Sequence, residues 1–166
     1  MLAIINIYQI ITSLISIIFF FQDFINSFGR IRNYFKSFTS FLIIILLAYI
    51  LFTNVYALFN KKKISSYLTI NIWFNFIQIF YISILGINYY LLIGLQIIPY
   101  YSYLEASSFK IYFEFFSVRM GIFYKPNNEI AIAINLIPLI IFIILNNYKK
   151  KFFDVLHRLP QGTMQK

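Results

Sequence analysis

The sequence predicts an all-α, polytopic transmembrane protein with four or five spans and interfacial amphipathic helices. Three observations predict it. Forty-one consecutive residues, Ile64 to Leu104, contain no Asp, Glu, Lys, Arg or His. The chain is 61% hydrophobic and 11% charged, where a soluble domain carries about 25% charged residues. Short basic clusters flank the apolar runs, as positive charge does at membrane surfaces. Each span with its loop takes about 30 residues, so 166 residues accommodate a single membrane domain over 1–166.

The first predicted span is 2–22. Its few polar or small residues, Ala3, Asn6, Gln9, Ser13 and Ser16, recur at helical spacing and define one face. In lipid such a face turns toward protein, where amides and hydroxyls hydrogen-bond to a neighbouring helix. Residues 23–40 form a loop, with Gly29 as breaker and Arg30, Arg32 and Lys36 as its positive cluster. A second span, 41–59, is almost wholly Ile, Leu and Phe until Thr53, Asn54 and Ala57, and Asn60 with Lys61, Lys62 and Lys63 ends it.

The third predicted span, 67–98, is a single long tilted helix, kinked near Gly86 and Pro99, in preference to two spans reversing at Gly86 and Asn88. Asn71, Asn75 and Gln78 lie at i, i+4 and i+7 on one face. Tyr89, Tyr90, Tyr100, Tyr101 and Tyr103 read as interfacial aromatic belts. Over 105–124, Phe109, Tyr112, Phe113, Phe116 and Met120 recur at helical spacing against Lys110, Glu114 and Ser117, which predicts an amphipathic helix lying on the membrane. A strand competes there, because Phe109, Ile111, Phe113 and Phe115 also alternate. The last span, 130–146, carries Ala131, Asn135 and Pro138 along one face, and Lys149, Lys150 and Lys151 close it. Phe152, Phe153, Leu156 and Leu159 then predict a second interfacial helix over 150–160.

These patterns assign two sets of functional residues. Helix contacts are expected from Asn6, Gln9, Ser13, Asn71, Asn75, Gln78 and Asn135. Binding of lipid phosphate is expected from Arg30, Arg32, Lys61, Lys62, Lys63, Lys149, Lys150 and Lys151. The net charge of +9 is carried by these clusters and not by a polar face with interleaved bases, so nucleic acid is not the expected partner.

Chemistry is expected to be absent from the chain alone. There is no cysteine, and the single histidine, His157, lies in the basic tail. No predicted span has an ionisable residue at its middle, where a proton or ion carrier needs one. Glu105 and Glu129 lie at span ends, and Glu114, Arg119 and Lys125 in the surface segment. No phosphate-binding glycine loop, activated nucleophile or metal-ligand spacing occurs. The N-terminus lacks the charged region and cleavage site of a secretory signal and the arginines of a transit peptide.

Phe (21), Tyr (14), Ile, Asn, Leu and Lys dominate, with little Val, Ala or Gly, as in proteins encoded by A- and T-rich DNA. In this the whole chain resembles the hydrophobic proteins of protist mitochondrial genomes. The resemblance implies the mitochondrial inner membrane, a non-catalytic structural or accessory subunit of a respiratory-chain complex, other membrane subunits as partners, and cardiolipin or another anionic lipid. A membrane-region subunit of ATP synthase, a small bacterial transporter or channel, and a divergent proton-translocating core subunit are the alternatives. The a-type ATP synthase subunit requires an arginine inside a span, the smallest membrane subunits of NADH dehydrogenase carry buried glutamates, and cytochrome oxidase core subunits need histidines; none is present in the predicted spans. The sixth mitochondrial subunit of NADH dehydrogenase is similar in length, but its Tyr-x-Gly-Ala helix has at best a remote echo in Tyr81 to Asn88.

Overall fold

The computed structural model describes residues 2–28, 34–59, 64–84, 87–103, 108–124 and 130–158. Among these the chain forms α1 (Leu2–Ser27), α2 (Tyr34–Phe59), α3 (Ile64–Ile79), β1 (Phe80–Ile84), β2 (Ile87–Tyr103), β3 (Ser108–Tyr124), β4 (Ile130–Ile134) and α4 (Leu136–Arg158). The all-α expectation is therefore corrected: four helices accompany a four-stranded antiparallel sheet inserted between α3 and α4.

Each misassigned segment has a physical reason. The charge-free stretch read as one span over 67–98 is helical only to Ile79. Beyond it, Tyr, Ile and Phe crowd the sequence, and these residues favour a pleated surface packed on both faces. Absence of charge reports an apolar environment and says nothing about backbone. Residues 105–124, read as a surface helix, form β3, and the alternation of Phe109, Ile111, Phe113 and Phe115 is the period that governs. The span read over 130–146 divides into β4 and α4. Pro138, expected to bend it, occupies the first turn of α4, where its missing N–H removes no helical bond. The helix read over 150–160 is the continuation of α4 to Arg158. Gly29 and Gly86 lie outside the described residues.

Helix α1 packs along α2, and α3 along α4. One apolar cluster, Ile5, Tyr67, Leu68, Ile141 and Leu145, joins α1, α3 and α4. A second, including Phe20, Leu47, Ile50, Phe74, Leu91 and Ile93, joins α1, α2 and α3 to β2. The sheet thus shares a core with the helices. The 26 residues of α1 give about 39 Å, whereas the 16 of α3 give about 24 Å, short of a hydrocarbon core of about 30 Å. By length and composition, α1 and residues 37–59 of α2 are long and apolar enough to cross a membrane.

The sheet is closed by an unusual circuit. Tyr81 of β1 lies opposite both Tyr90 of β2 and Ala133 of β4, and Ala133 lies opposite Tyr100 of β2. All three pairings are antiparallel, and three reversals cannot return to the starting direction with straight strands. Strand β2 must therefore swing round between Tyr90 and Tyr100. Gly94, at φ +88°, and a register shift between Gly94 and Gln96 supply the bend. Pro99 is accommodated because β2 pairs there with β3 alone. Inside the circuit Tyr81 stacks on Tyr90 and meets Tyr100 edge-on, each at 5.7 Å, around Leu92, Ile98 and Ala133. Tyr90 and Tyr100, read from sequence as membrane belts, are core residues of the sheet, while Tyr101 and Tyr103 are exposed.

At the bend α1 approaches. The Leu95 N–H donates to the Tyr8 hydroxyl at 3.1 Å, and a Cβ on Gly94 would collide with that hydroxyl and press on Thr12. Gly94→Ala combines backbone strain with this collision and is expected to destabilise the fold by about 1–3 kcal/mol. Tyr8→Phe in the same chain relieves the collision but forfeits the Leu95 hydrogen bond, so it should recover only part of the loss. Denaturant midpoints in mild detergent check this; an unchanged midpoint for Gly94→Ala would contradict the proposed bend.

Candidate helix-contact site

The polar residues of α1 build the first half of the site. Asn6, Gln9, Ser13 and Ser16 are all buried, at 5% exposure or less, while Ala3, one step earlier on the same face, is exposed. On the opposite face Ile4, Ile7, Ile11, Leu14 and Ile18 are open to the surroundings, Ile4 at 71%. The helix is polar inside and apolar outside.

Helix α3 repeats this arrangement. Asn71, Asn75 and Gln78 are buried, and each donates its side-chain N–H to the carbonyl one turn back: Asn71 to Tyr67 at 2.9 Å, Asn75 to Asn71 at 2.7 Å, and Gln78 to Phe74 at 3.2 Å. Back-bonding uses one N–H of each amide within the helix and leaves the oxygen free to accept from a neighbour, which Asn71 does. The Asn71 Oδ1 accepts from the Asn54 Nδ2 of α2 at 3.1 Å, and that same nitrogen donates to the Ile50 carbonyl at 2.7 Å. Asn54 is fully buried. Sequence reading noted Asn54 without assigning it a contact; the signal available was an isolated amide in an otherwise apolar helix.

Asn135 joins the helices to the sheet. Its N–H donates to the Ile79 carbonyl at 2.7 Å, clipping the start of α4 to the end of α3. Its Oδ1 accepts from the Ile137 N–H at 3.3 Å and caps α4, whose first intrahelical bond runs from the Leu139 N–H to the Asn135 carbonyl. Sequence placed Asn135 inside a helix; it stands at the helix boundary.

Other polar groups are buried in the strands without a helical stripe to mark them. Gln96, just past the β2 bend, is buried with neither amide atom bonded within the described residues, and Ser83 and Ser117 are likewise buried in strands. The Gln9 amide and the Ser13 and Ser16 hydroxyls are in the same condition on α1. Amides with unspent donors and acceptors hold no charge, so this seam can orient and fasten groups but has nothing to exchange protons with near neutral pH. Among the described residues no group of three His, Asp or Glu side chains is placed to hold a metal ion.

Between α2 and α3, beside the Asn54–Asn71 bond in sequence, lies a cavity of about 390 Å³ lined by Tyr49, Phe52, Thr53, Tyr56, Tyr67 and their neighbours. The Thr53 hydroxyl is committed to the Tyr49 carbonyl at 2.7 Å. Of the residues expected to meet lipid phosphate, Lys149 is half-buried and Lys150 and Lys151 are exposed on α4 past its apolar turns. Arg30, Arg32, Lys61, Lys62 and Lys63 lie outside the described residues. No known protein family, characterised protein or solved structure matches the chain.

The Asn54–Asn71 bond gives a direct test. Asn54→Leu leaves the Asn71 oxygen without its partner and should destabilise the fold by about 0.5–2 kcal/mol, with much of that loss absent when Asn71→Leu is already present. A double-mutant cycle in detergent measures the coupling; simple additivity would show that the bond carries no energy.

Proposed function

We propose that the chain is a membrane-embedded, non-catalytic structural subunit that holds neighbouring helices and lipids in place. One observation carries this: uncharged Asn, Gln, Ser and Thr take about half of the buried positions, beside the apolar core, while Ile, Phe, Leu and Tyr cover much of the outside. Water disfavours so many exposed apolar side chains over so many buried amides, and an apolar solvent does not. Phe52 at 67% exposure and Phe115 at 91% would each leave a large ring in water. Two helices with the length and hydropathy to cross a bilayer support the same medium. The structural role is supported by the character of the buried polar set, in which the described residues include no Asp, Glu, Lys, Arg or His. Hydrogen-bonding groups without ionisable ones fasten helices; they do not relay protons.

The assembly we assign to it is a mitochondrial respiratory-chain complex of the inner membrane, supporting electron transport and proton translocation by its partner subunits. That assignment rests on composition. Anionic lipid, cardiolipin in that membrane, would meet the exposed lysines of α4. In mild detergent the chain is expected to migrate with a large membrane assembly on a native gel and to co-purify with its subunits. Migration at the size of the isolated chain would overturn the subunit assignment.

A further inference from the structure

Strand edges in this sheet are almost fully consumed. β1 and β4 pair on both sides, and β2 pairs with β3 along its whole length and with β1 and β4 at its two ends. Over the bend of β2, α1 is the neighbour, through Tyr8. Among the described residues one long edge is left, the outer edge of β3. The later part of β3 lies near α1: Val118 shares a small pocket with Phe19, Phe20 and Asp23 and packs on the core. Among the described residues, no helix or strand is paired or packed on the outer edge of residues 108–116. Along them Phe109 is 64% exposed, Ile111 51%, Phe113 73% and Phe115 91%. An open edge flanked by large apolar side chains is a pairing template, and in hydrocarbon its unpaired N–H and C=O groups are not tolerated.

We propose that this edge pairs with the same edge of a second copy of the chain, antiparallel and centred on Tyr112, so that the sheet runs continuously through a two-fold dimer. The charge pattern selects both occupant and register. Lys110 and Glu114 lie symmetrically about Tyr112, the one cation and one anion of this segment. Antiparallel self-pairing about Tyr112 sets each Lys110 opposite Glu114 of the other copy, twice, by symmetry. Shifting the register by one pair breaks both contacts. The same register places Phe109 opposite Phe115 and Ile111 opposite Phe113, so eight apolar side chains form one continuous face. Glu114 already meets Arg119 of its own chain at 3.3 Å and would lie between that guanidinium and the incoming ammonium. Pairing about Tyr112 spans residues 108–116 and ends before the portion of β3 that α1 approaches, so the two do not compete for the edge.

The chain contains no cysteine, which makes the test clean. The dimer is independent of any larger assembly and is read out separately from it. Tyr112→Cys in the full chain, in native membranes under mild oxidation, is expected to give a covalent homodimer, because facing residues of an antiparallel pair sit within disulfide reach. Lys110→Cys alone should not cross-link, since the two copies of residue 110 would stand about 13 Å apart along the strands. Lys110→Cys co-expressed with Glu114→Cys should cross-link. Lys110→Glu should weaken dimerisation roughly threefold to tenfold, and co-expression of Lys110→Glu with Glu114→Lys chains should give heterodimers more readily than either homodimer, which a variant that merely fails to fold would not do. No adduct at residue 112, an adduct with a different protein, or equal cross-linking of Lys110→Cys alone would each overturn the proposal.

Discussion

The structure depends on where its amides go. Asn6, Gln9, Asn54, Asn71, Asn75, Gln78, Gln96 and Asn135 are buried, and the outside is built from Ile, Phe, Leu and Tyr. In water, burying that many amides would forfeit their hydration while leaving rings and branched chains exposed, two unfavourable terms at once. In hydrocarbon exposed apolar groups would match the solvent, and amides turned inward would avoid it, as Asn54 does by bonding Asn71. Helix α2, lacking a polar stripe, uses its single amide to reach α3, and α1 and α3 offer full polar faces to the interior.

The proposed medium also bears on how the sheet is built. A strand in an apolar solvent must satisfy its backbone within protein, so open edges are the weakness of any sheet placed there. Here the bend at Gly94 lets one long strand serve as neighbour to β1 at one end and β4 at the other, closing a circuit with few residues. Three tyrosine rings fill the interior of that circuit, and Ala133 leaves room for them. Asn135 ties the circuit to the helices at the one point where α3, β1, β4 and α4 meet, so the sheet is carried by the bundle and not appended to it.

The helices α1 and α3 were legible from sequence in part, and the sheet was not. In α1 and α3 the amides and several of the small polar residues recur at helical spacing between apolar residues, so the spacing could be read directly and the buried faces followed from it. The strands hid because the strongest signal in the chain, a long charge-free run, measures hydropathy and not backbone period. Within Phe80 to Tyr103 most positions are apolar on both faces, so neither a period of 2 nor of 3.6 emerges; enrichment in Tyr, Ile and Phe with Gly94 was the remaining clue. In β3 both periods were present. Phe109, Tyr112, Phe113 and Phe116 fit a helix as well as Phe109, Ile111, Phe113 and Phe115 fit a strand, and pairing with β2, invisible locally, decided between them. Asn135 and Pro138 fitted a helical face, yet an Asn followed three residues later by Pro also fits a helix starting between them, which is where α4 begins.

The proposed apolar medium can be tested at a single side chain. Trp73 is the only tryptophan, sits on α3 one turn from Phe76, and is 63% exposed. In vesicles containing lipids brominated along their acyl chains, the account predicts that Trp73 emission is quenched by the bromines and protected from aqueous iodide. Quenching by iodide, with no response to the brominated chains, would show that water bathes this face and would contradict the account at its base.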